Sequence, residues 1–288
     1  MTLPRIGFVG LGKMGQPMAG RLMEAGYPLV VSDAAPGVAA SMTGVTPAQD
    51  SKDFADVDVL ILMLPNSAVV ESVLESEGLA AVLRPGTLVV DMSSSEPLRT
   101  RALASRLGRR GLRFVDAPVS GGVRGAIAGS LAVMSGGDEN DIDELRPLLE
   151  VLGKKVLTVG PVGSGHAAKA LNNLVSAATL SVTVEALRLG AAFGIAPETM
   201  NAVLNSSSGR SNTSENKVTQ FMLDGSFGSG FALHLMAKDV RIAVDLARAL
   251  AQRTEISDQV AEQWSRTAAD VTPQTDHTQM YDLIGGPQ

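Results

Sequence analysis

The sequence predicts an α/β fold: a doubly wound parallel sheet in the N-terminal half, then one long inter-domain helix, then an all-α C-terminal domain. Three observations carry that expectation. Short apolar runs alternate with helical patterns from residue 5 to residue 159. A glycine-rich turn joins the first of those runs to the first helix. Beyond Gly160 the strand-like runs stop and only helical texture continues.

Residues 5–10, 29–33, 58–64, 87–91, 113–119, 131–135 and 155–159 read as strands. Several are apolar at nearly every position, the pattern of strands buried on both faces. Helical patterns at 14–25, 67–74, 97–107 and 139–152 fill the gaps between them. Such alternation builds parallel βαβ units with short connections. Gly160, Pro161, Gly163 and Gly165 then punctuate the chain. From residue 167 to residue 193 there is no proline and one glycine, Gly190; the charged residues are Lys169, Glu185 and Arg188 alone. A helix so apolar on all sides is expected to be buried between domains or subunits. Helical patterns at 197–204, 213–224, 233–251 and 256–269 follow, and residues 285–288 read as a loose tail. The expected division is 1–162 for the sheet domain, 163–193 for the long helix and 194–288 for the all-α domain.

Composition narrows the chemistry. The chain has 288 residues, 19% of them charged, with a net charge of −6. That length suggests roughly two domains. The absence of cysteine removes disulfide scaffolds, thiolate zinc sites, iron–sulfur clusters and cysteine nucleophiles, and no metal is expected. It also fits a reducing compartment. An acidic chain with 3% aromatic residues lacks the basic footprint and the stacking platforms of a nucleic-acid binder. The longest strictly apolar run, residues 59–64, is too short to span a membrane. With a first strand beginning at Arg5 there is no room for a leader peptide, so a cytoplasmic protein with no membrane partner is expected.

Gly10, Gly12 and Gly15, with Leu11, Lys13 and Met14 between them, spell G-x-G-x-x-G. Among 30 glycines the motif alone means little; its place between an apolar strand and a helix gives it weight. Gly10 permits the tight turn, Gly12 lets the backbone approach a pyrophosphate, and Gly15 allows helix–strand packing. Unpaired N–H groups at the helix start favour phosphate. The N-terminal domain therefore reads as Rossmann-type. Asp33 ends the second strand about 20 residues on, where a carboxylate accepts hydrogen bonds from ribose hydroxyls and repels a 2′-phosphate. Ala34, Ala35, Pro36 and Gly37 supply no cation. NAD is expected over NADP; the alternative for Asp33 is a plain cap on the next turn.

Lys169 and Asn173 sit four residues apart, on one face of the long helix. Most helical lysines are solvated. This one lies in a nearly uncharged helix, close to its N-terminus, where desolvation and the helix dipole both favour the neutral amine. Such an amine suits acid–base work near neutral pH. His166, one turn earlier, either shares that site or is a first-turn residue facing phosphate or solvent. Ser120, Gly121 and Gly122 follow a strand and Pro118; they offer either an anion-binding nest or an ordinary turn.

At this point the residues resemble the β-hydroxyacid dehydrogenases, the group that includes 3-hydroxyisobutyrate dehydrogenase. Four signatures stand in order over nearly the whole chain: the glycine loop from Gly7; Asp116-Ala-Pro-Val-Ser-Gly-Gly with Gly125, Gly129 and Met134-Ser-Gly-Gly137; Gly163-Ser-Gly-His-Ala-Ala-Lys169 through Asn173; and Lys238-Asp239. The resemblance implies Lys169 as the acid–base and Asn173 as its substrate-orienting partner. It implies Ser120, Gly121 and Gly122 for the substrate carboxylate, and Lys238 reaching the cofactor–substrate region from the second domain. Ser94 falls where the family often has threonine near the cofactor, and Leu64 and Pro65 would line the cofactor cleft. The implied reaction is reversible hydride transfer between a small 3-hydroxy acid and NAD.

An imine reductase on the same scaffold is the runner-up, and such relatives usually lack this lysine. A noncatalytic NAD sensor has no need for a buried ammonium. The substrate stays open among hydroxyisobutyrate, serine-like acids, tartronate semialdehyde, four-carbon sugar acids and sulfonated analogues. Arg210, in a polar loop, is equally a clamp for a second anionic group or a partner for a surface carboxylate. Phe231, close in sequence to Lys238, is a further candidate for binding the cofactor. The apolar long helix and the all-α domain predict a homodimer or homotetramer.

Overall fold

The structure, a computed structural model, describes residues 3–284. Residues up to Lys169 form one compact unit, and those from Ala170 onward form a second. That division falls inside the long helix. The expected tail at 285–288 lies outside the described residues.

The first unit runs β1 (Ile6–Val9), α1 (Gly15–Glu24), β2 (Leu29–Ser32), α2 (Val38–Ser41), β3 (Thr46–Pro47), a 3-10 turn (Ser51–Phe54) and β4 (Val59–Leu62). Next come α3 (Ser67–Glu71) with a π turn (Ser72–Ser76), α4 (Leu79–Val82), β5 (Leu88–Asp91), α5 (Pro97–Gly108) and β6 (Arg113–Asp116). The unit closes with β7 (Val119–Ser120), α6 (Gly122–Ala128), β8 (Leu131–Gly136), α7 (Glu139–Leu152), β9 (Gly153–Gly160) and the start of α8 (Ser164–Phe193).

The strand order is β3-β2-β1-β4-β5-β6-β8, with β7 and β9 both paired to β8. From β3 through β6 every pairing is parallel. Side chains alternate between two buried faces: Val59 and Ile61 enter one apolar cluster, Leu60 and Leu62 the other. Burying each such side chain contributes about 1.5–3 kcal/mol. The chain leaves β1 in one direction and returns to β4 on its other side, so strand order reverses between them. Ligands of open α/β sheets bind at the carboxyl ends of the strands at such a point.

The wholly parallel sheet expected from the sequence ends at β6. β8 runs antiparallel to β6 and to β7. The single strand expected over 113–119 breaks at Ala117 and Pro118, because proline has no N–H for the ladder. α6 then starts on Gly122 (φ +61°), straight after Gly121 (φ +133°), two glycines whose positive φ lets the chain turn from β7 into the helix.

The second unit takes the rest of α8, then α9 (Pro197–Ser206), α10 (Asn212–Asn216), a π turn (Val218–Met222), α11 (Leu233–Ala249) and α12 (Glu255–Ala269). A 3-10 turn (His277–Gln279) and α13 (Met280–Leu283) complete it. α8 packs Ala177, Leu180, Val184 and Leu187 into a core around Trp264. Those spacings of three and four put them on one stripe. The all-round burial expected of α8 does not occur within the chain: Leu171, Val175, Val182, Leu189 and Phe193 are exposed. By length and composition α8 is apolar enough to cross a membrane, although scattered serines, threonines and a few charges break it into short strictly apolar runs.

Candidate active site

The glycine loop lies at the carboxyl end of β1. Gly10 has φ +98°, and a Cβ there would run into the Met63 carbonyl. A Cβ on Gly15 would run into the Gly10 carbonyl. At Gly12 an added Cβ meets nothing within 4 Å among the described residues beyond its own chain neighbours. The first and third glycines are thus demanded by the chain's own packing. The second is not, which fits a backbone kept bare for a phosphate to approach. The Leu11 side chain is buried, so only its backbone can face a ligand. Met14 is half-buried against the core and Lys13 is exposed.

Asp33 follows β2. Its Oδ2 accepts the Leu11 N–H at 2.6 Å, and its Oδ1 accepts the Ala35 N–H at 2.7 Å. The carboxylate therefore ties the glycine loop to β2 and also caps the next turn. Each oxygen keeps acceptor capacity for a ribose hydroxyl.

The loops after β4 and β5 are tied together. The Leu64 N–H donates to Ser93 Oγ at 2.9 Å. The Ser93 N–H and the Ser95 hydroxyl donate to opposite oxygens of Asp91, at 2.9 and 2.8 Å. Ser93 and Ser95 are buried, while Ser94 between them is half-buried and Pro65 is exposed. The chain supplies a shaped edge with glycine, serine and carboxylate groups suited to a nicotinamide dinucleotide.

α8 begins on Asp116, at the end of β6. This fully buried carboxylate accepts the Gly163 N–H at 2.6 Å and the His166 N–H at 2.8 Å. The first N–H groups of a helix need such acceptors. Burial pushes the Asp116 carboxyl up, and His166 and the two N–H donors counter it. His166 is buried, with Nδ1 2.8 Å from Thr100 Oγ1 and Nε2 3.7 Å from Asp91. Its ring is shielded from solvent, and these contacts brace the helix start. Asp116 is 47 residues from Gly163, so no local pattern announces this contact; a carboxylate inside a strand-end motif is its one sequence signal.

Lys169 is 8% exposed and Asn173 is 4% exposed, one turn apart in α8. In the second unit, Asn173 Nδ2 donates to Asp239 Oδ2 at 2.6 Å, and Lys238 Nζ lies 3.1 Å from Asp239 Oδ1. Asp239 is buried, so this charge pair fixes which way the Asn173 carboxamide turns. Asp239 thus links Lys238 to Asn173, and its sequence signal is only its place in the Lys238-Asp239 pair.

Ser120 ends β7, and Gly121 and Gly122 follow with positive φ, the kind of backbone from which an anion-binding nest is built. Arg210 is largely exposed, with Nε 3.4 Å from Glu215. Of its two open roles, the surface pairing is the one the geometry has. Phe231 packs on the second unit's core; its N–H donates to Asp276 and its ring meets His277 edge-on at 5.7 Å. These contacts hold the C-terminal segment.

The NAD-binding domain family of 6-phosphogluconate dehydrogenase matches residues 5–160. The NAD-binding domain family of NADP-dependent 3-hydroxyisobutyrate dehydrogenase matches residues 163–284. The chain is 38% identical over 248 residues to 2-(hydroxymethyl)glutarate dehydrogenase of Eubacterium barkeri, covering 85% of this chain and 82% of that protein. It is 38% identical to NAD-dependent L-serine dehydrogenase of Pseudomonas aeruginosa, covering 88% of each. Among solved structures, 3-hydroxyisobutyrate dehydrogenase of Mycobacterium tuberculosis with L-serine superposes with a TM-score of 0.91 at 31% identity, covering 99% of this chain and 100% of that one.

Proposed function

The chain belongs to the β-hydroxyacid dehydrogenases and is a nicotinamide-dependent 3-hydroxyacid dehydrogenase, and on that footing we propose that Lys169 is its general acid–base, that NAD is its preferred cofactor and that 3-hydroxyisobutyrate-like acids are its substrates. One buried pair carries this reading: Lys169 and Asn173, four residues apart in α8, with Asp239 holding the amide. Bound nicotinamide supplies the hydride acceptor, and the glycine loop, Asp33, Leu64, Pro65 and Ser94 hold the dinucleotide. Lys169 as the free amine takes the hydroxyl proton in oxidation, and as ammonium returns it in reduction. Asn173 orients the hydroxyl. The Ser120–Gly122 nest binds the substrate carboxylate. Orientation of this kind lowers a barrier by about several kcal/mol. Asp33 and the absence of a cation at residues 34–37 favour NAD over NADP.

We further propose that the protein acts in the cytoplasm as a homodimer or homotetramer, with no membrane or nucleic-acid partner. The exposed α8 stripe from Leu171 to Phe193 is then covered by a second copy of the chain. A panel of 3-hydroxy acids, assayed for NADH and NADPH formation, tests the activity. Turnover of a 3-hydroxy acid with NAD is expected. Reduction of cyclic imines without turnover of any hydroxy acid would overturn it, and a monomeric mass at micromolar concentration would overturn the assembly.

A further inference from the structure

Lys217 follows α10 and is half-buried in the second unit. Its Nζ donates to Ser176 Oγ at 3.2 Å. Ser176 lies three residues past Asn173 in α8 and seven past Lys169, on the same helical face. At a rise of about 1.5 Å per residue, it stands about 4.5 Å beyond Asn173 along the axis and about 10 Å beyond Lys169.

This cation has no anion of its own. No carboxylate among the described residues comes within 4 Å of Nζ. The acid nearest in influence, Asp276, is already committed. It accepts from the Ser229 hydroxyl, the Gly230 and Phe231 N–H groups, and both the N–H and the hydroxyl of Thr278. His277, beside it, is held down by burial and brings no negative charge. A desolvated ammonium whose bonded partner is a hydroxyl costs stability, and a structural lysine would be expected beside a carboxylate. Burial accordingly pulls the Lys217 amine down to about 8. An incoming anion would relieve that cost.

We propose that Lys217 determines specificity by binding a second carboxylate, carried by the substrate beyond its hydroxyl-bearing carbon, so that hydroxy dicarboxylic acids are preferred over their monocarboxylic analogues. This rests on the dehydrogenase reading above. It also moves the second-anion role, considered for Arg210, to a half-buried cation seven residues on.

The test compares 3-hydroxyisobutyrate with 2-(hydroxymethyl)succinate and its homologue one methylene longer. The full-length wild type and the Lys217→Met and Lys217→Arg variants are assayed with NAD. The wild type is expected to prefer one of the diacids by about tenfold or more in kcat/KM, the scale of one charge-assisted contact. Lys217→Met should collapse that diacid-to-monoacid ratio about tenfold through KM, and Lys217→Arg should restore part of it. Equal use of mono- and diacids by the wild type, or a ratio unmoved in Lys217→Met, overturns the proposal. Calorimetric titration of glutarate into the NAD-loaded proteins separates the two readings. Failure to oxidise any hydroxy acid sinks the dehydrogenase assignment, while loss of glutarate binding in Lys217→Met still upholds the anion site, and unchanged binding refutes it.

Discussion

Replacing Asp116 by asparagine tests whether the start of α8 is what holds the lysine-bearing turn in place. The carboxylate accepts two N–H groups, from Gly163 and from His166. Asparagine keeps one acceptor oxygen and turns an NH₂ group toward the other donor. One buried N–H is then left without a partner, at about 1–3 kcal/mol, and the surviving bond loses its charge assistance. Relief of a desolvated charge offsets part of this, since burial already pushes the Asp116 carboxyl up. The net loss is about 2–3 kcal/mol, or roughly 3–5 °C in Tm for a chain of this size. Lys169 lies one turn past His166, so kcat should fall about tenfold or more, the cost of slight misplacement of a reacting group. KM for NAD should hold, because the glycine loop is anchored elsewhere. The pH dependence has a definite sign. A carboxyl raised in the folded state keeps its proton where the unfolded chain has lost it, so its contribution to stability falls as pH rises above about 4. The wild-type advantage over Asp116→Asn should narrow accordingly. Wild-type kcat together with a Tm shift below about 1 °C would refute the bracing role.

Three further outcomes follow from the same geometry. Asp239→Asn releases the Asn173 carboxamide and the partly exposed Lys238; kcat should fall about 10- to 100-fold with a loss of about 2 kcal/mol in stability, and an unchanged kcat contradicts the orienting role. Asp33→Ser removes the charge that would repel a 2′-phosphate, so the NAD-to-NADP ratio of kcat/KM should fall about tenfold or more; a ratio that does not move assigns Asp33 to capping alone. Lys217→Met should be more stable than wild type at pH 7, measured by urea denaturation. Its advantage should shrink above pH 8, because the depressed folded amine makes wild-type stability rise between about 8 and the unfolded value near 10.4, and a constant gap across that range contradicts the depressed amine.

Much of this site was legible in the residues because its signals are local. The three glycine roles need only one strand, one turn and one helix, and Gly10, Gly12 and Gly15 behave as their spacing implies. Lys169 stood out because its helix carries almost no other charge. What stayed hidden depends on residues far apart in sequence. Asp116 meets Gly163, and Asn173 meets Asp239, only once the chain has folded. β8 has the same apolar texture as the parallel strands, so its direction is set by the short connections through β7 and α6. Composition could not tell which stripe of α8 faces the core, since both are apolar. Lys217 sits in a polar stretch that reads as solvated surface, and only its placement beside Ser176 distinguishes it.

The most direct test of the central claim is single-turnover formation of NADH by Lys169→Met, read beside NAD binding by the same protein. With Lys169 as the acid–base, the rate on a 3-hydroxy acid drops by about 10²-fold or more, and the NAD Kd stays within about threefold of wild type, a difference under about 0.7 kcal/mol. A variant that forms NADH at close to the wild-type rate contradicts the assignment.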